Sequence, residues 1–217
     1  MALNRPLQNL KVLVTCGPTW IPIDQIRVIS NSSTGEMGHR ISHLLCREGA
    51  KVTLIQGPVT HSLRHLPEKV LKFQFFEELS KIFLSELKTT SYDVVIHSAA
   101  VSDYKLRKPY AKKLSSNISE FKLDLIPTKK LIERIKKISP NTFLVGFKLE
   151  ADTKQEFLVK RAKALIQKTK CDLVVANISS EKNYKGFIVD RNGKIFSQKN
   201  SKEQMAKSLV EMIGKKI

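Results

Sequence analysis

The stretch from Lys11 to Gly38, KVLVTCGPTWIPIDQIRVISNSSTGEMG, limits what this chain can fold into more than any other. It opens on an apolar-rich run, Lys11–Cys16, that Gly17-Pro18 breaks, and it closes on Ser32-Ser33-Thr34-Gly35-Glu36-Met37-Gly38. From there the apolar spacing is helical, through Ile41, Leu44 and Leu45. A strand that leads through a Gly/Ser/Thr loop into a helix start turns backbone N–H groups toward an anion, so the pattern predicts a phosphate-binding turn. A dinucleotide fingerprint would place G-x-G-x-x-G directly behind the strand, and this chain does not. Its insert carries Asp24 and Arg27 instead, before the polar run Asn31–Thr34. The alternative is an ordinary helix N-cap at Ser33 or Thr34.

The rest of the chain alternates strand and helix. Lys51–Gln56, Asp93–Ser98, Thr142–Phe147 and Asp172–Ala176 read as strands, with the apolar residues of DVVIHS and DLVVA consecutive rather than alternating. Helical spacing predicts helices over about 36–48, 76–88, 129–137 and 153–168. Phe121–Ile126 alternates as a strand, and Arg191-Asn192-Gly193 between two short runs is a hairpin signal. Ser201 with Gln204 forms a capping box before a last helix. The class is therefore α/β: a Rossmann-like, parallel-rich sheet with helices on both faces and a C-terminal hairpin. A length of 217 residues suits a single domain over positions 1–217.

From Asp103 to Ser119 the periodicity fails. DYKLRKPYAKKLSSNIS carries five Lys or Arg and three Ser, and long basic loops inside a domain tend to be lids over a site. A plain surface excursion is the alternative. The net charge of +18 raises the question of nucleic acid, but it is spread along the chain, comes mostly from Lys and has few aromatics beside it. No apolar run approaches a membrane span, and the N-terminal MALNRPLQNLK has no secretory apolar core. Cys16, Cys46 and Cys171 are odd in number and widely spaced, which argues for a reducing cytoplasm and against a zinc site.

Gly17-Pro18-Thr19, Pro22-Ile23-Asp24, Arg27 and Ile29–Gly35 with Met37-Gly38 together resemble phosphopantothenate–cysteine ligase, the synthetase that makes 4′-phosphopantothenoylcysteine on the way to coenzyme A. Ala99-Ala100-Val101-Ser102-Asp103-Tyr104, Gly146-Phe147 followed by Glu150, and Val174-Val175-Ala176-Asn177 match its later motifs in order. The similarity runs from about residue 9 to about 200. The flavin-dependent decarboxylase fused ahead of many bacterial members is not seen, so the resemblance implies a stand-alone ligase.

The resemblance implies a two-step reaction. The carboxylate of phosphopantothenate attacks the α-phosphate of a nucleoside triphosphate, and the amine of cysteine then displaces the nucleotide. Asn31 is implied in converting the acyl-nucleotide, and Lys113 as the lid lysine that closes on the phosphates, with Lys112 its rival. Gly17, Thr19, Asp24, Arg27 and Ala100 are implied on the acid-substrate side, with Arg27 meeting an anionic group. Ser32, Ser33, Gly35, Asp103 and the backbone of His97, Ser98 and Ala99 are implied at the nucleotide. So are Ile126, Pro127, Thr128 and Lys129, with Phe147 packed on the nucleotide and Lys163 and Lys168 reaching it from the next helix.

Trp20-Ile21, Thr128-Lys129-Lys130 and Phe147-Lys148-Leu149-Glu150 depart from the family pattern. They mix bacterial and eukaryotic traits, leaving CTP or ATP open with CTP preferred. The triphosphate is expected to bring Mg²⁺ without a protein metal site. A homodimer is expected, with no nucleic acid and no membrane, and a separate decarboxylase partner stays open. The alternatives are an NAD(P)-dependent reductase on the same fold or a basic nucleic-acid-binding protein.

Overall fold

A computed structural model describes residues 7–59, 67–115, 117, 119–151, 153–179 and 184–217. Positions 1–6 of the N-terminal stretch, and 116 and 118 of the basic loop, lie outside the described residues. The chain begins β1 (Lys11–Cys16), β2 (Trp20–Pro22), β3 (Val28–Ser30), α1 (Glu36–Arg47), β4 (Lys51–Gln56) and β5 (Lys69–Lys72). It continues α2 (Phe76–Thr89), β6 (Val94–His97), β7 (Tyr104–Leu106), β8 (Leu125–Pro127), α3 (Ile132–Ile138) and β9 (Phe143–Glu150). It ends α4 (Gln155–Thr169), β10 (Leu173–Ser179), β11 (Tyr184–Asp190), β12 (Ile195–Lys199) and α5 (Lys202–Lys216).

The consecutive apolar runs are strands because both of their faces are covered. Val12, Leu13, Val14 and Cys16 are all fully buried, alternating between two cores. Val12 and Val14 meet Ile41 and Leu45 of α1 and Leu209 and Ile213 of α5 on one face. Leu13 shares the other face with Leu79 and Phe83 of α2, Ile135 of α3 and Leu158 of α4. The sheet order is β12-β11-β10-β9-β6-β1-β4-β5. The six strands from β10 to β5 run parallel, and β11 and β12 extend that sheet antiparallel. The chain winds outward from β1 to β4 and β5, then returns to β6 on the other side of β1. Strand order therefore reverses between β1 and β6, and sheets of this kind bind ligands outside the carboxyl ends at such a reversal.

Several local expectations hold. Asp190 Oδ1 accepts the N–H groups of Asn192 and Lys194, closing the C-terminal hairpin. At the start of α5, Ser201 Oγ accepts Gln204 N–H, the N-cap half of the expected capping box. Among the described residues, no helix is long and apolar enough to cross a membrane.

Others are corrected. Neither Ser33 nor Thr34 caps α1: the cap position is Gly35, with φ of 74° and no side-chain cap. A Cβ there would come within 2.4 Å of Val59 Cγ1, so only glycine fits. The insert is the β2–β3 hairpin, and β5 forms where no strand was predicted. The basic loop is bracketed by a β7–β8 ribbon. The strand expected over Phe121–Ile126 shrinks to Leu125–Pro127, because β7 offers a ladder of only three residues. Lys129 stays outside α3, which begins at Ile132.

Candidate functional site at the switch point

The carboxyl ends of β1 and β6 are laced together where strand order reverses. Thr15 Oγ1 lies 3.0 Å from His97 Nδ1 and accepts Ala99 N–H at 3.2 Å. Ser98 donates through Oγ to the Thr15 carbonyl at 2.6 Å, and its N–H donates to the same oxygen. The N–H groups of Ser98 and Ala99 are thus used inside the protein. Past the strands, Ala100 N–H donates to Gly17 O, Thr19 N–H to Ala100 O, and Ser102 N–H to Thr19 Oγ1. Gly17, Thr19 and Ala100 form one backbone shelf. His97 is buried, with its ring stacked 5.2 Å from that of Phe83. Burial lowers its pKa from the ordinary 6.5 to about 4, so the imidazole is neutral near neutral pH.

Asn31 leaves β3 and its amide Nδ2 donates to Ala100 O at 3.0 Å, bringing the first motif onto the shelf. Ser32 is exposed. Ser33 Oγ accepts Gly35 N–H and Thr34 Oγ1 accepts Glu36 N–H, both at 3.4 Å, in local turns ahead of α1. The helix then sits directly on the strand ends. A Cβ on Gly38 would come within 2.4 Å of Cys16 Cβ and 2.8 Å of Ser98 Oγ. Its amino terminus, carrying partial positive charge, is the predicted phosphate-facing turn. Burial pushes the Cys16 thiol up to about 12, which removes it as a nucleophile.

The β2–β3 turn is built on Asp24. Its Oδ1 accepts Ile26 N–H and Arg27 N–H, each at 2.8 Å. Its Oδ2 accepts Arg27 Nη1 at 2.8 Å and Leu114 N–H at 3.1 Å. The backbone N–H groups of Ile26, Arg27 and Leu114 hold the carboxyl well below the usual carboxylate range, with the Arg27 guanidinium adding to them. Arg27 Nη1 also reaches Leu114 O at 3.2 Å, and Ile23 O accepts Tyr110 N–H at 2.8 Å. The basic loop therefore docks on the hairpin. Arg107 pairs with Asp124 at its base, and the rings of Tyr110 and Phe121 meet at 5.8 Å. Lys112 and Lys113 are both exposed, and Lys113 adjoins the anchored Leu114. Asp24 itself is buried, and its two oxygens accept four N–H groups that hold Arg27 and the loop.

The ribbon places Ile126 opposite Lys105 and Pro127 opposite Tyr104. Thr128 ties it to the shelf through Oγ1 to Ser102 O at 2.6 Å, while Lys129 is exposed. The Asp103 carboxylate pairs with Lys130. Phe147 is half-buried on the face shared with α1 and α5.

Lys163 and Lys168 both lie on α4. The stem of Lys163 lies on Gly193, where a Cβ would come within 2.4 Å of Cε, and Lys168 pairs with Glu133 at 2.8 Å. Nothing in the sequence marks Thr15 as the strand-end clasp. For Leu114 the only signal was an apolar residue inside a basic run.

A family profile described as DNA/pantothenate metabolism flavoprotein C-terminal domain matches residues 7–217. The chain belongs to that family. Among the family's curated members, the coenzyme A biosynthesis bifunctional protein CoaBC of Thermococcus kodakarensis is 37% identical over 218 residues, covering 97% of this chain and 52% of that protein. The protein of the same name from Haemophilus influenzae is 30% identical, covering 96% and 50%. The chain spans about half the length of the curated relatives it matches. In solved structures, the DNA/pantothenate metabolism flavoprotein from Streptococcus pneumoniae matches with a TM-score of 0.84 at 30% identity, covering 94% of this chain and 98% of that one. A Cab2 mutant in complex with phosphopantothenate-cysteine shares the fold, with a TM-score of 0.78 at 19% identity over 96% of this chain and 87% of that one. The fold is thus one that these solved structures share.

Proposed function

We propose that residues 1–217 act as one phosphopantothenoylcysteine synthetase-like domain, a ligase that joins 4′-phosphopantothenate to L-cysteine through an acyl-nucleotide. The observation that carries this reading is the bond from Asn31 to Ala100, which puts two separate motifs on one shelf between Arg27 and the start of α1. Family membership supports it.

In the first step a carboxylate oxygen of the acid bonds to the α-phosphorus and the bond to pyrophosphate breaks. In the second, the cysteine amine bonds to the acyl carbon, loses a proton, and the nucleoside monophosphate leaves. Neither step needs a covalent enzyme intermediate, so positioning and charge stabilisation are the protein's contribution. Arg27, with one nitrogen committed to Asp24, has further N–H groups for an anionic group of the acid. The amino terminus of α1 faces phosphate, and Lys113 approaches from the loop with Lys112 as its neighbour. One amide hydrogen of Asn31 is held by Ala100, and the other serves an oxygen that gains charge as cysteine attacks.

Asp24 has both oxygens filled by N–H donors and Asp103 is paired with Lys130, so these residues fit a cation carried by the triphosphate and its waters. When bound, Mg²⁺ neutralises phosphate charge. The triphosphate is CTP in preference to ATP, and the setting is a reducing cytoplasm. A homodimer and a separate decarboxylase partner complete the proposal. Pyrophosphate release with phosphopantothenate and either CTP or ATP, before cysteine is added, tests the reading. Release with neither nucleotide refutes it.

A further inference from the structure

The two oxygens of Asp24 are divided between two tasks. Oδ1 takes the N–H groups of Ile26 and Arg27 and so closes an Asx-type turn that presents Arg27. Oδ2 takes Arg27 Nη1 and Leu114 N–H, while the same Nη1 donates to Leu114 O. Carboxylate, guanidinium and the Leu114 peptide form a closed triangle. The Asp24 side chain is wholly buried, whereas that of Arg27 is 39% exposed. The guanidinium thus has one edge in the triangle and another toward solvent.

We propose that Asp24 is a positioning residue that couples anion binding at Arg27 to seating of the basic loop that carries Lys113. An anion on the exposed edge of the guanidinium immobilises it, and with it the Nη1 that holds the Leu114 carbonyl. Leu114 adjoins Lys113, so the lysine backbone is fixed in the same act. Charge points the same way. Arg107, Lys108, Lys112 and Lys113 crowd the loop, and Arg27 would repel them. Asp124 answers Arg107 at the base, and Asp24 supplies negative charge where the loop meets the hairpin. The backbone bond from Tyr110 to Ile23 O is a second anchor that carries no charge. Seating at Leu114 is therefore the step an anion can strengthen. This rests on the ligase reading only in taking phosphopantothenate as the acid that Arg27 meets.

Asp24→Asn separates the two tasks. The amide can keep the turn through its oxygen but then sets an NH₂ against Leu114 N–H and Arg27, and flipping it only moves the conflict to the turn. In the full chain, trypsin cleavage after Lys112 and Lys113 is followed by mass spectrometry, with and without phosphopantothenate. Wild type is expected to cleave slowly and more slowly still with phosphopantothenate. Asp24→Asn should cleave about tenfold faster, the scale of losing one hydrogen bond to a charged group, and gain no protection. Leu114→Pro removes the donor while leaving Asp24 and Arg27 paired; read at the bond after Lys112, because trypsin does not cut a Lys–Pro bond, it should behave alike if Asp24→Asn does not fold. Wild-type cleavage in both variants overturns the latch. Equal protection by phosphopantothenate in variant and wild type overturns the coupling. If wild type shows protection but never releases pyrophosphate, the ligase reading fails and the coupling stands. If wild type shows no protection at all, the coupling fails whatever the chemistry.

Discussion

The side-chain amide of Asn31 donates to the carbonyl oxygen of Ala100 across 3.0 Å, joining segments 69 residues apart in the chain. That oxygen also accepts Thr19 N–H, so the loop after β3, the turn after β1 and the crossover after β6 meet at one atom. Asn31→Asp would set a carboxylate against it and remove both amide hydrogens. We expect pyrophosphate release to persist while the cysteine step slows by about a hundredfold, the scale of losing one donor to a developing oxyanion. Rapid-quench measurement of each step checks this, and equal slowing of both would rule out a role confined to the second.

Lys113→Ala should slow acyl-nucleotide formation by about a hundredfold, the usual cost of one preorganised charge. Triphosphate binding should weaken less, because the start of α1 remains. Lys112→Ala is the comparison, since both side chains are exposed and only Lys113 adjoins the anchored Leu114. Single-turnover kinetics with the two variants decides between them. A normal first step in Lys113→Ala with a lost one in Lys112→Ala would give the role to Lys112.

Gly38 lets α1 rest on the strand ends, with Cys16 Cβ and Ser98 Oγ where its own Cβ would be. Gly38→Ala should cost about 1–3 kcal/mol through overpacking against backbone-fixed neighbours. It should also raise the KM for triphosphate by shifting the helix start. Urea unfolding and initial rates read the two effects, and an unchanged midpoint would mean that the helix yields without strain.

Burial lowers the His97 pKa from 6.5 to about 4, so the folded chain takes up this proton less readily than the unfolded one. Stability linked to His97 is full above pH 6.5 and lost as pH falls from there to about 4, by up to about 1.4 kcal/mol per pH unit. The difference between wild type and His97→Gln in urea unfolding at several pH values isolates this slope. A ring that titrates near 6.5 by NMR in the folded protein would refute it.

What the sequence determined by itself is local. Strands β1, β4, β6 and β10 follow from apolar runs, α1 and α2 from helical spacing, the C-terminal hairpin from Asn192-Gly193, and the start of α5 from Ser201. Periodicity, turn conformation and capping act within a few residues, so they can be read without knowing the fold. The motif resemblance added the family in the same way, residue by residue. Only the tertiary structure decided that Asp24 meets Leu114, 90 residues away, or that Asn31 meets Ala100. The three-residue ladders β2–β3 and β7–β8 are too short to carry a pattern and exist because a partner lies alongside. Contacts of this kind depend on chain path rather than on composition, and a side chain's partner is fixed only when the elements that carry both have packed.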